Sequence, residues 1–214
     1  MLEEIAREPY EPRGILNSEM ALVIYAALAA GVEVFIETGR ARGQSTYMLA
    51  KYLPEVEIHS VELRDTPDEA FARTRLAGFG NVTLHMGHAE PLVSALVSRN
   101  AHRRMAILCD GPKGAAAVSI LEHNFHCPNV LVGFIHDMRR LDHGAPSPHR
   151  ACAIERLPHH KFSDDPKLVA GTSWMDAEVV KAGGPCGPQW EAVHGSYGPT
   201  IGVFFNTQAD RKAA

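Results

Sequence analysis

Residues 34–46 constrain the fold more than any other stretch of this sequence. Three apolar residues are followed by a segment that contains an acid and two glycines, and the stretch ends in polar residues. This order predicts a strand, a tight turn and a helix start that Ser45 or Thr46 would cap. Because Gly39 and Gly43 lack a Cβ, the backbone can take positive φ there and a ligand can approach the main chain closely. Such glycines also close ordinary strand-to-helix loops, so the turn alone leaves both interpretations open.

An acid on the next predicted strand favours a ligand site. That strand covers residues 57–62, and Glu62 lies 23 positions after Gly39 (62 − 39). In nucleotide-binding α/β units, an acid about 20 residues after the glycine turn hydrogen-bonds the ribose hydroxyls. The turn and Glu62 together therefore predict a site for a nucleoside-type ligand.

Strand and helix patterns alternate along most of the chain. Short apolar or alternating runs predict five strands, the segments between them have helical patterns, and one further strand follows near the C-terminus. This alternation predicts an α/β fold with a parallel sheet covered by helices on both faces, and a ligand across the carboxyl ends of the strands. The predicted strands cover residues 34–36, 57–62, 81–86, 104–110, 130–137 and 200–206.

Both ends of the chain and one internal segment depart from this alternation. Residues 1–17 carry prolines and a glycine among charges and predict an irregular arm. Residues 20–30 predict an apolar helix buried against the sheet or a partner chain. Residues 171–199 are rich in glycine and proline and predict a long loop that acts as a lid or an oligomer contact. The last residues, 209–214, predict a frayed tail.

Charge and cysteine content narrow the class of protein. A formal net charge of −4, a sequence pI of about 6.3 and the lack of a long basic run argue against a nucleic-acid or anionic-membrane partner. The four cysteines are scattered, unlike the disulfide framework of a small secreted domain. The sequence shows neither a signal-like start nor a run of about 18 apolar residues. We therefore expect a protein of the reducing cytoplasm.

With these features located, the sequence resembles the class I S-adenosylmethionine-dependent methyltransferases over residues 30–137. The E/D-x-G-x-x-x-G turn of that family corresponds here to residues 37–43. The resemblance implies a Rossmann-like, doubly wound α/β fold with a mostly parallel seven-stranded sheet, whose antiparallel last strand would include residues 201–205. It also implies that S-adenosylmethionine is the cofactor, bound by Glu37, Thr38, Gly39, Gly43, Ser45, Glu62, His88, Ala89, Glu90 and Asp110.

Two further motifs resemble the small-molecule O-methyltransferases of macrolide and cephalosporin tailoring. These are Gly-x-Ser/Thr at residues 43–46 and Asp-Gly-Pro-Lys-Gly at residues 110–114. In that subgroup, acids at the ends of strands four and five bind a magnesium ion that orients a substrate hydroxyl, which implies Asp110 and Asp137 as ligands here. His136 stands where a second acid is common, and imidazole suits a transition metal better than Mg²⁺, which prefers oxygen ligands.

The reaction that the resemblance implies needs few chemical groups. Methyl transfer from a sulfonium is an in-line displacement, so the protein has to align donor and acceptor and make the acceptor oxygen nucleophilic. A divalent cation lowers the pKa of a bound hydroxyl, and a nearby base takes its proton. Asp110, His136 and Asp137 are therefore the candidate catalytic residues and metal ligands. Lys113 and His143 are weaker candidates, which we expect to face solvent.

The candidate acids also have a purely structural interpretation. Asp110 can form a turn with Gly111-Pro112, and Asp137 can cap a chain end or pair with Arg139 or Arg140. The sequence does not decide between these roles and a role toward a substrate.

Three functional hypotheses follow. The leading one is a methyltransferase acting on a small-molecule hydroxyl, with residues 138–199 setting the choice of acceptor. An NAD(P)-dependent oxidoreductase shares the fold class but is disfavoured, because Ala41 stands two positions after Gly39, where G-x-G-x-x-G requires glycine. The third is a non-catalytic domain that keeps the cofactor fold. We divide the chain into an N-terminal arm and helix at 1–30 and a cofactor-binding domain at 31–214, and the apolar helix is consistent with a homodimer.

Overall fold

A seven-stranded β-sheet forms the centre of the computed structural model, which describes residues 1–12, 14–139, 141–142 and 145–207. Its strands are β1 (Val34–Thr38), β2 (Glu57–Glu62), β3 (Val82–Met86), β4 (Met105–Cys109), β5 (Val130–Ile135), β8 (His160–Phe162) and β9 (Gly202–Phe205). Two further strands, β6 (Leu141–Asp142) and β7 (Ala145–Pro146), pair with each other outside this sheet. Arg140, His143 and the predicted tail at 209–214 lie outside the described residues.

The order of the strands confirms the predicted Rossmann-like fold. Across the sheet it is β3-β2-β1-β4-β5-β9-β8. The first five strands are parallel, whereas β9 runs antiparallel to both of its neighbours. The strand order reverses between β1 and β4, and in open α/β sheets such a switch point is where ligands bind, at the carboxyl ends of the strands.

Helices connect these strands and cover the sheet. In the described part of the chain, no helix has the length and the apolar character that a bilayer span requires. The helices are α1 (Leu2–Ala6), α2 (Asn17–Ala29), α3 (Gln44–Tyr52), α4 (Pro67–Leu76), α5 (Ala89–Arg99), α6 (Ala115–Asn124), α7 (Pro148–Arg156), α8 (Pro166–Thr172), α9 (Ala177–Lys181), α10 (Pro188–His194) and a 3₁₀ helix, Ser173–Asp176.

Alternate residues of β1 point to opposite faces of the sheet. Phe35 belongs to a core cluster with residues of α2 and α3, whereas Val34 and Ile36 belong to a second cluster with residues of α5 and α6. Phe35 also stacks on Phe134 of β5, with ring centroids 5.9 Å apart. Because both faces are covered by apolar packing, polar groups that can meet a ligand are confined to the strand ends.

The N-terminal segment differs from the prediction of an irregular arm over residues 1–17. Residues 2–6 form α1, and the buried side chain of Ile5 joins the core cluster that includes α2. A helix of five residues is stabilised by such tertiary packing and not by its own helix propensity. The sequence pattern therefore did not predict α1. The predicted apolar helix is confirmed as α2, although Tyr25 and Leu28 on it are 40% and 46% exposed.

The prediction of a long loop over residues 171–199 is also wrong. The 3₁₀ helix, α9 and α10 occupy much of this segment. Each is too short to show a helical period in the sequence, and the prolines and glycines mark their ends. In α10, for example, Pro188 stands in the first turn and Gly195 adopts the left-handed conformation at the C-cap.

Asp176 is a carboxylate buried at the end of the 3₁₀ helix, where this segment packs on α2. Its Oδ1 accepts a hydrogen bond from the backbone N–H of Ser18 at 3.2 Å. Burial raises the pKa of Asp176 from 3.8 to about 6, because the ionised form loses its hydration inside the protein.

We expect Asp176→Asn to gain stability relative to the wild type as the pH rises. The pKa of Asp176 is higher in the folded than in the unfolded state, so proton binding to Asp176 stabilises the folded wild type. This stabilisation is complete below about pH 4 and is lost as the pH rises through about 6. Between about pH 4 and pH 7.5, the unfolding free energy of the variant should therefore rise by up to about 3 kcal/mol relative to that of the wild type. Urea unfolding at both pH values measures this shift, and an unchanged difference would contradict it.

Candidate functional site

The glycine turn after β1 lies in contact with the loop after β4. Gly39 has a φ of 85°, and a Cβ built on it would come within 2.5 Å of the backbone nitrogen of Gly111. The backbone N–H groups of Asp110 and Gly111 donate to the carbonyl of Thr38, at 3.0 and 3.1 Å. Only glycine at position 39 allows this approach, which brings the ends of β1 and β4 together.

Glu37 is held inside the turn by three hydroxyl groups. It is fully buried, and its carboxylate accepts hydrogen bonds from Ser45, Thr46 and, at 2.8 Å, Ser60. Burial raises the pKa of Glu37 despite these donors. The prediction that Ser45 or Thr46 caps α3 is therefore wrong, because both hydroxyls point to Glu37, and the N-cap residue is Gly43 with a φ of 75°.

Glu62 ends β2 beside the same turn. Its Oε2 accepts a hydrogen bond from the N–H of Ala41 at 3.0 Å, and its Oε1 accepts from the N–H groups of Leu63 and Arg64 at 2.7 and 3.1 Å. Ala41 has a φ of 43°, which is uncommon for a residue with a Cβ. The carboxylate therefore both orders the turn and presents an acceptor that could bind hydroxyl groups at the end of β2.

The third predicted cofactor segment follows β3. The N–H of Gly87 donates to the carbonyl of Glu62 at 2.9 Å, so β2 and β3 end side by side. His88 is the N-cap residue of α5, and Ala89 is its first residue. The side chains of His88 and Glu90 are exposed. The segment thus lies where the sequence predicted it, and its contact with a ligand stays a prediction.

A buried ion pair that the sequence analysis missed supports the turn. Arg40 is buried, and its Nε lies 2.9 Å from Oε2 of Glu69 on α4, which is also buried. Arg40 also donates a hydrogen bond to the carbonyl of Ser60 on β2. The pair therefore ties the ends of β1 and β2 to α4. In the sequence, Arg40 has no feature that distinguishes it from a solvent-facing arginine.

His136, the first residue after β5, lies between two carboxylates. Its Nδ1 is 2.7 Å from Oδ1 of Asp110 at the end of β4, and its Nε2 is 3.3 Å from Oε2 of Glu19 on α2. Burial opposes a charge on His136, but Asp110 and Glu19 outweigh it and raise the pKa to about 10. The imidazole is therefore positively charged at neutral pH, and each ring nitrogen donates a hydrogen bond.

Lys113 links the two aspartates of the site. Its ammonium group pairs with Asp110 and lies 2.6 Å from Oδ2 of Asp137, whose φ is 61°. Burial opposes the charge on Lys113, yet the two aspartates raise its pKa. Burial also opposes the charge on Asp110, but His136 and Lys113 hold the pKa of Asp110 well below its usual range. Lys113 is half exposed, in line with the expectation that it faces solvent, but its ammonium group also belongs to the cluster.

Three side chains could hold a divalent metal. Asp110, His136 and Asp137 each offer one ligand atom, and these atoms lie within 4.8 Å of one another. Glu19, on the other ring nitrogen of His136, is the kind of outer carboxylate that metal-binding histidines commonly have. One nitrogen and two oxygen donors fit a transition metal better than Mg²⁺. A metal would have to displace the Nδ1 proton of His136 and compete with Lys113 for the aspartate oxygens.

The chain between α1 and α2 is anchored beside the glycine turn. Glu11 pairs with Arg42 of the turn and, at 2.5 Å, with Arg75 of α4. Glu8 lies 2.6 Å from Nζ of Lys51 on α3. These ion pairs hold the segment across the open side of the turn.

A pocket lies between this segment and the turn. Glu11, Gly14 and Ile15 line it on one side, and Gly39, Gln44, Ser45 and Asp110 are among the residues on the other. Asp110 therefore belongs both to this pocket and to the cluster with His136 and Lys113.

The structure places the predicted residues in two adjoining groups. The ends of β1, β2 and β3 carry the predicted cofactor residues other than Asp110, although the side chains of Glu37 and Ser45 hydrogen-bond to each other. The ends of β4 and β5 carry Asp110, His136 and Asp137. The sequence analysis did not predict that Glu19 contacts His136. Glu19 lies 117 residues from His136, on a helix whose other residues are mostly apolar.

The comparisons with known proteins agree with this arrangement at the level of the fold. No family model matches the chain, and no curated protein matches it in sequence. Among solved structures, a provisionally assigned O-methyltransferase from Klebsiella pneumoniae matches with a TM-score of 0.63 and 15% identity, over 96% of this chain and 88% of that one. An O-methyltransferase from Bacillus cereus in complex with S-adenosylhomocysteine (SAH) matches with a TM-score of 0.61 and 14% identity, over 95% and 90%.

A third solved structure extends the same likeness. TomG from Streptomyces achromogenes, an O-methyltransferase of tomaymycin synthesis in complex with S-adenosylmethionine (SAM), matches with a TM-score of 0.54 and 16% identity. The match covers 96% of this chain and 89% of that one. At such identities the likeness establishes that the chain has the fold of class I O-methyltransferases.

Proposed function

We propose that this chain is a SAM-dependent methyltransferase that transfers the methyl group to a hydroxyl of a small molecule. The observation that carries the proposal is the contact between two loops. The turn that contains Gly39 adjoins the acid of β2, and the loop that it touches begins with Asp110, which pairs with His136 and Lys113. The proposed donor site and the proposed acceptor site would therefore lie next to each other at the switch point of the sheet.

The proposed cofactor site uses the ends of the first three strands. Glu62 would accept hydrogen bonds from the ribose hydroxyls, and the segment of His88, Ala89 and Glu90 would lie along the adenine. The main chain at Gly39 and Gly43 would face the methionine part. Complexes of two proteins of this fold, the B. cereus enzyme with SAH and TomG with SAM, support this choice of cofactor.

The proposed transfer needs an aligned hydroxyl and a group that takes its proton. The acceptor oxygen forms a bond to the methyl carbon while the carbon–sulfur bond breaks, and the cofactor leaves as the neutral thioether. The hydroxyl becomes strongly acidic as the new bond forms, so a carboxylate suffices as the base. Asp137, which is half exposed, would take this proton. Lys113, kept charged by its aspartates, would hold the acceptor oxygen by a hydrogen bond.

The proposed metal would use the same cluster. Asp110, His136 and Asp137 would hold it, and when bound it would lower the pKa of the acceptor hydroxyl. Lys113 and the doubly hydrogen-bonded His136 already supply two positive charges beside the aspartates. The site is therefore partly neutralised by the chain's own cations.

The remaining assignments are part of the same proposal. Residues 138–199 would select the acceptor, which we take to be a small molecule and not a nucleic acid. The protein would work in the cytoplasm, and the exposed Tyr25 and Leu28 of α2 are consistent with a homodimer.

Binding and transfer together test the proposed function. We expect SAH to bind in calorimetry, and radiolabelled methyl groups to move from SAM to members of a panel of small-molecule hydroxyls. Asp137→Asn should lower kcat by roughly 10²-fold or more, because it removes the base, while the Kd for SAH stays within about twofold. Adding EDTA, Mg²⁺ or Mn²⁺ in parallel reveals any metal requirement.

Two outcomes would contradict the proposal. If SAH does not bind under any of these conditions but NADH does, the oxidoreductase hypothesis replaces it. If SAH binds without transfer to any hydroxyl of the panel, a non-catalytic domain becomes the better interpretation.

A further inference from the structure

Gln44, the first residue of α3, carries a buried amide group without a hydrogen-bond partner. The residue is only 6% exposed, and both Nε2 and Oε1 are buried with no partner in the part of the chain that the structure describes. Buried amides are normally hydrogen-bonded, because an unsatisfied donor or acceptor loses its hydration without compensation. An amide with both functions unused therefore points to a ligand that is polar at this position.

The unpartnered amide faces the pocket beside the glycine turn. Gln44 lines this pocket together with Gly39, Ser45 and Asp110. On the opposite side, Gly14 approaches so closely that a Cβ there would lie 1.9 Å from Oε1 of Gln44. The segment between α1 and α2 thus leaves room for the amide only because residue 14 is glycine.

The chemistry of the amide indicates which group it would bind. An amide offers one acceptor and two donor hydrogens without a net charge. The amino-acid end of a ligand carries a carboxylate, which accepts hydrogen bonds, and an ammonium group, which donates them. Gln44 also begins α3, and the free N–H groups of a helix start favour an anionic group.

We propose that the side chain of Gln44 binds the amino-acid end of the cofactor and so distinguishes SAM and SAH from nucleosides that lack this end. The inference rests on the proposed function, and it adds a specificity-determining residue at a motif position to which the motif itself assigns no residue type. The amide would donate Nε2–H to the carboxylate and accept from the ammonium group at Oε1.

The test compares SAH with 5′-methylthioadenosine, which has the nucleoside and the thioether but no amino-acid end. In calorimetry, Gln44→Leu should raise the Kd for SAH by at least about tenfold and change the Kd for 5′-methylthioadenosine by less than about twofold. Gln44→Glu has the same size and keeps an acceptor, but it repels a carboxylate, so it should weaken SAH selectively as well. Gln44→Leu removes buried polar atoms that have no partner, so we expect the variant to fold.

Different outcomes overturn different claims. If both variants weaken the two ligands equally, or weaken neither, Gln44 does not recognise the amino-acid end, although the proposed function stands. If the wild type binds neither ligand, the proposed function fails and the role of Gln44 falls with it.

Discussion

Glu62→Ala is expected to lower the affinity for SAH by roughly 10²-fold or more. Hydrogen bonds to a charged group contribute about 1.5–3 kcal/mol each, and the side chain of Glu62 could accept them from both ribose hydroxyls. Each 1.4 kcal/mol corresponds to about a tenfold change in Kd. Glu62 also holds the N–H of Ala41 at 3.0 Å, so its removal loosens the turn as well. Calorimetric titration of both proteins with SAH measures the change.

Glu57→Ala provides the matched control for this experiment. Glu57 lies at the other end of β2, where it is 43% exposed and pairs with Arg103 at 2.5 Å. Its removal takes away the same charge from the same strand but should leave the Kd for SAH within about twofold. If Glu62→Ala binds SAH as tightly as Glu57→Ala does, Glu62 does not bind the ribose.

Glu69→Gln is expected to lower the free energy of unfolding by about 3–5 kcal/mol. The substitution keeps the shape of the side chain but leaves the charge of Arg40 buried without its carboxylate. Glu69 also lies 2.9 Å from Arg73, but Arg73 is half exposed and can turn to water, whereas Arg40 cannot. Chemical denaturation followed by circular dichroism measures the loss.

The double variant Arg40→Met/Glu69→Met separates the charge effect from the loss of packing. Replacing a buried ion pair by apolar residues of similar size is often neutral, so the double variant should be more stable than Glu69→Gln. Arg73→Ala should cost less than about 1 kcal/mol, because exposed ion pairs contribute little. A Glu69→Gln protein as stable as Arg73→Ala would mean that Arg40 finds another partner.

The architecture could be predicted because it depends on patterns that are local in the sequence. The runs at β1, β4 and β5 are apolar until they end in polar residues, which is typical of strands buried on both faces. Gly39 and the spacing to Glu62 added the expectation of a ligand at the strand ends. Parallel order then placed Asp110 near His136 and Asp137 without any further information.

The finer arrangement could not be predicted because it depends on contacts between distant residues. Glu19 reaches His136 from α2, and nothing in the local sequence marks it as a partner. Ser45 and Thr46 stand at positions where their side chains could cap α3. In the structure, both hydroxyls instead donate hydrogen bonds to the buried carboxylate of Glu37. Short elements such as α1 and α10 depend on tertiary packing, and their sequences carry too few residues to show a period.

The contact between Gly39 and Gly111 has a consequence for how such a protein can diverge. Where two loops meet through side chains, a substitution can be absorbed by a change of rotamer. Where they meet through the main chain, any added atom would move the proposed methyl donor relative to the proposed acceptor, and a displacement of about 1 Å can cost about 10²-fold in rate. In the proposed reaction, new acceptors would therefore arise through residues 138–199, whereas the spacing between donor and acceptor would be inherited unchanged with the two glycines.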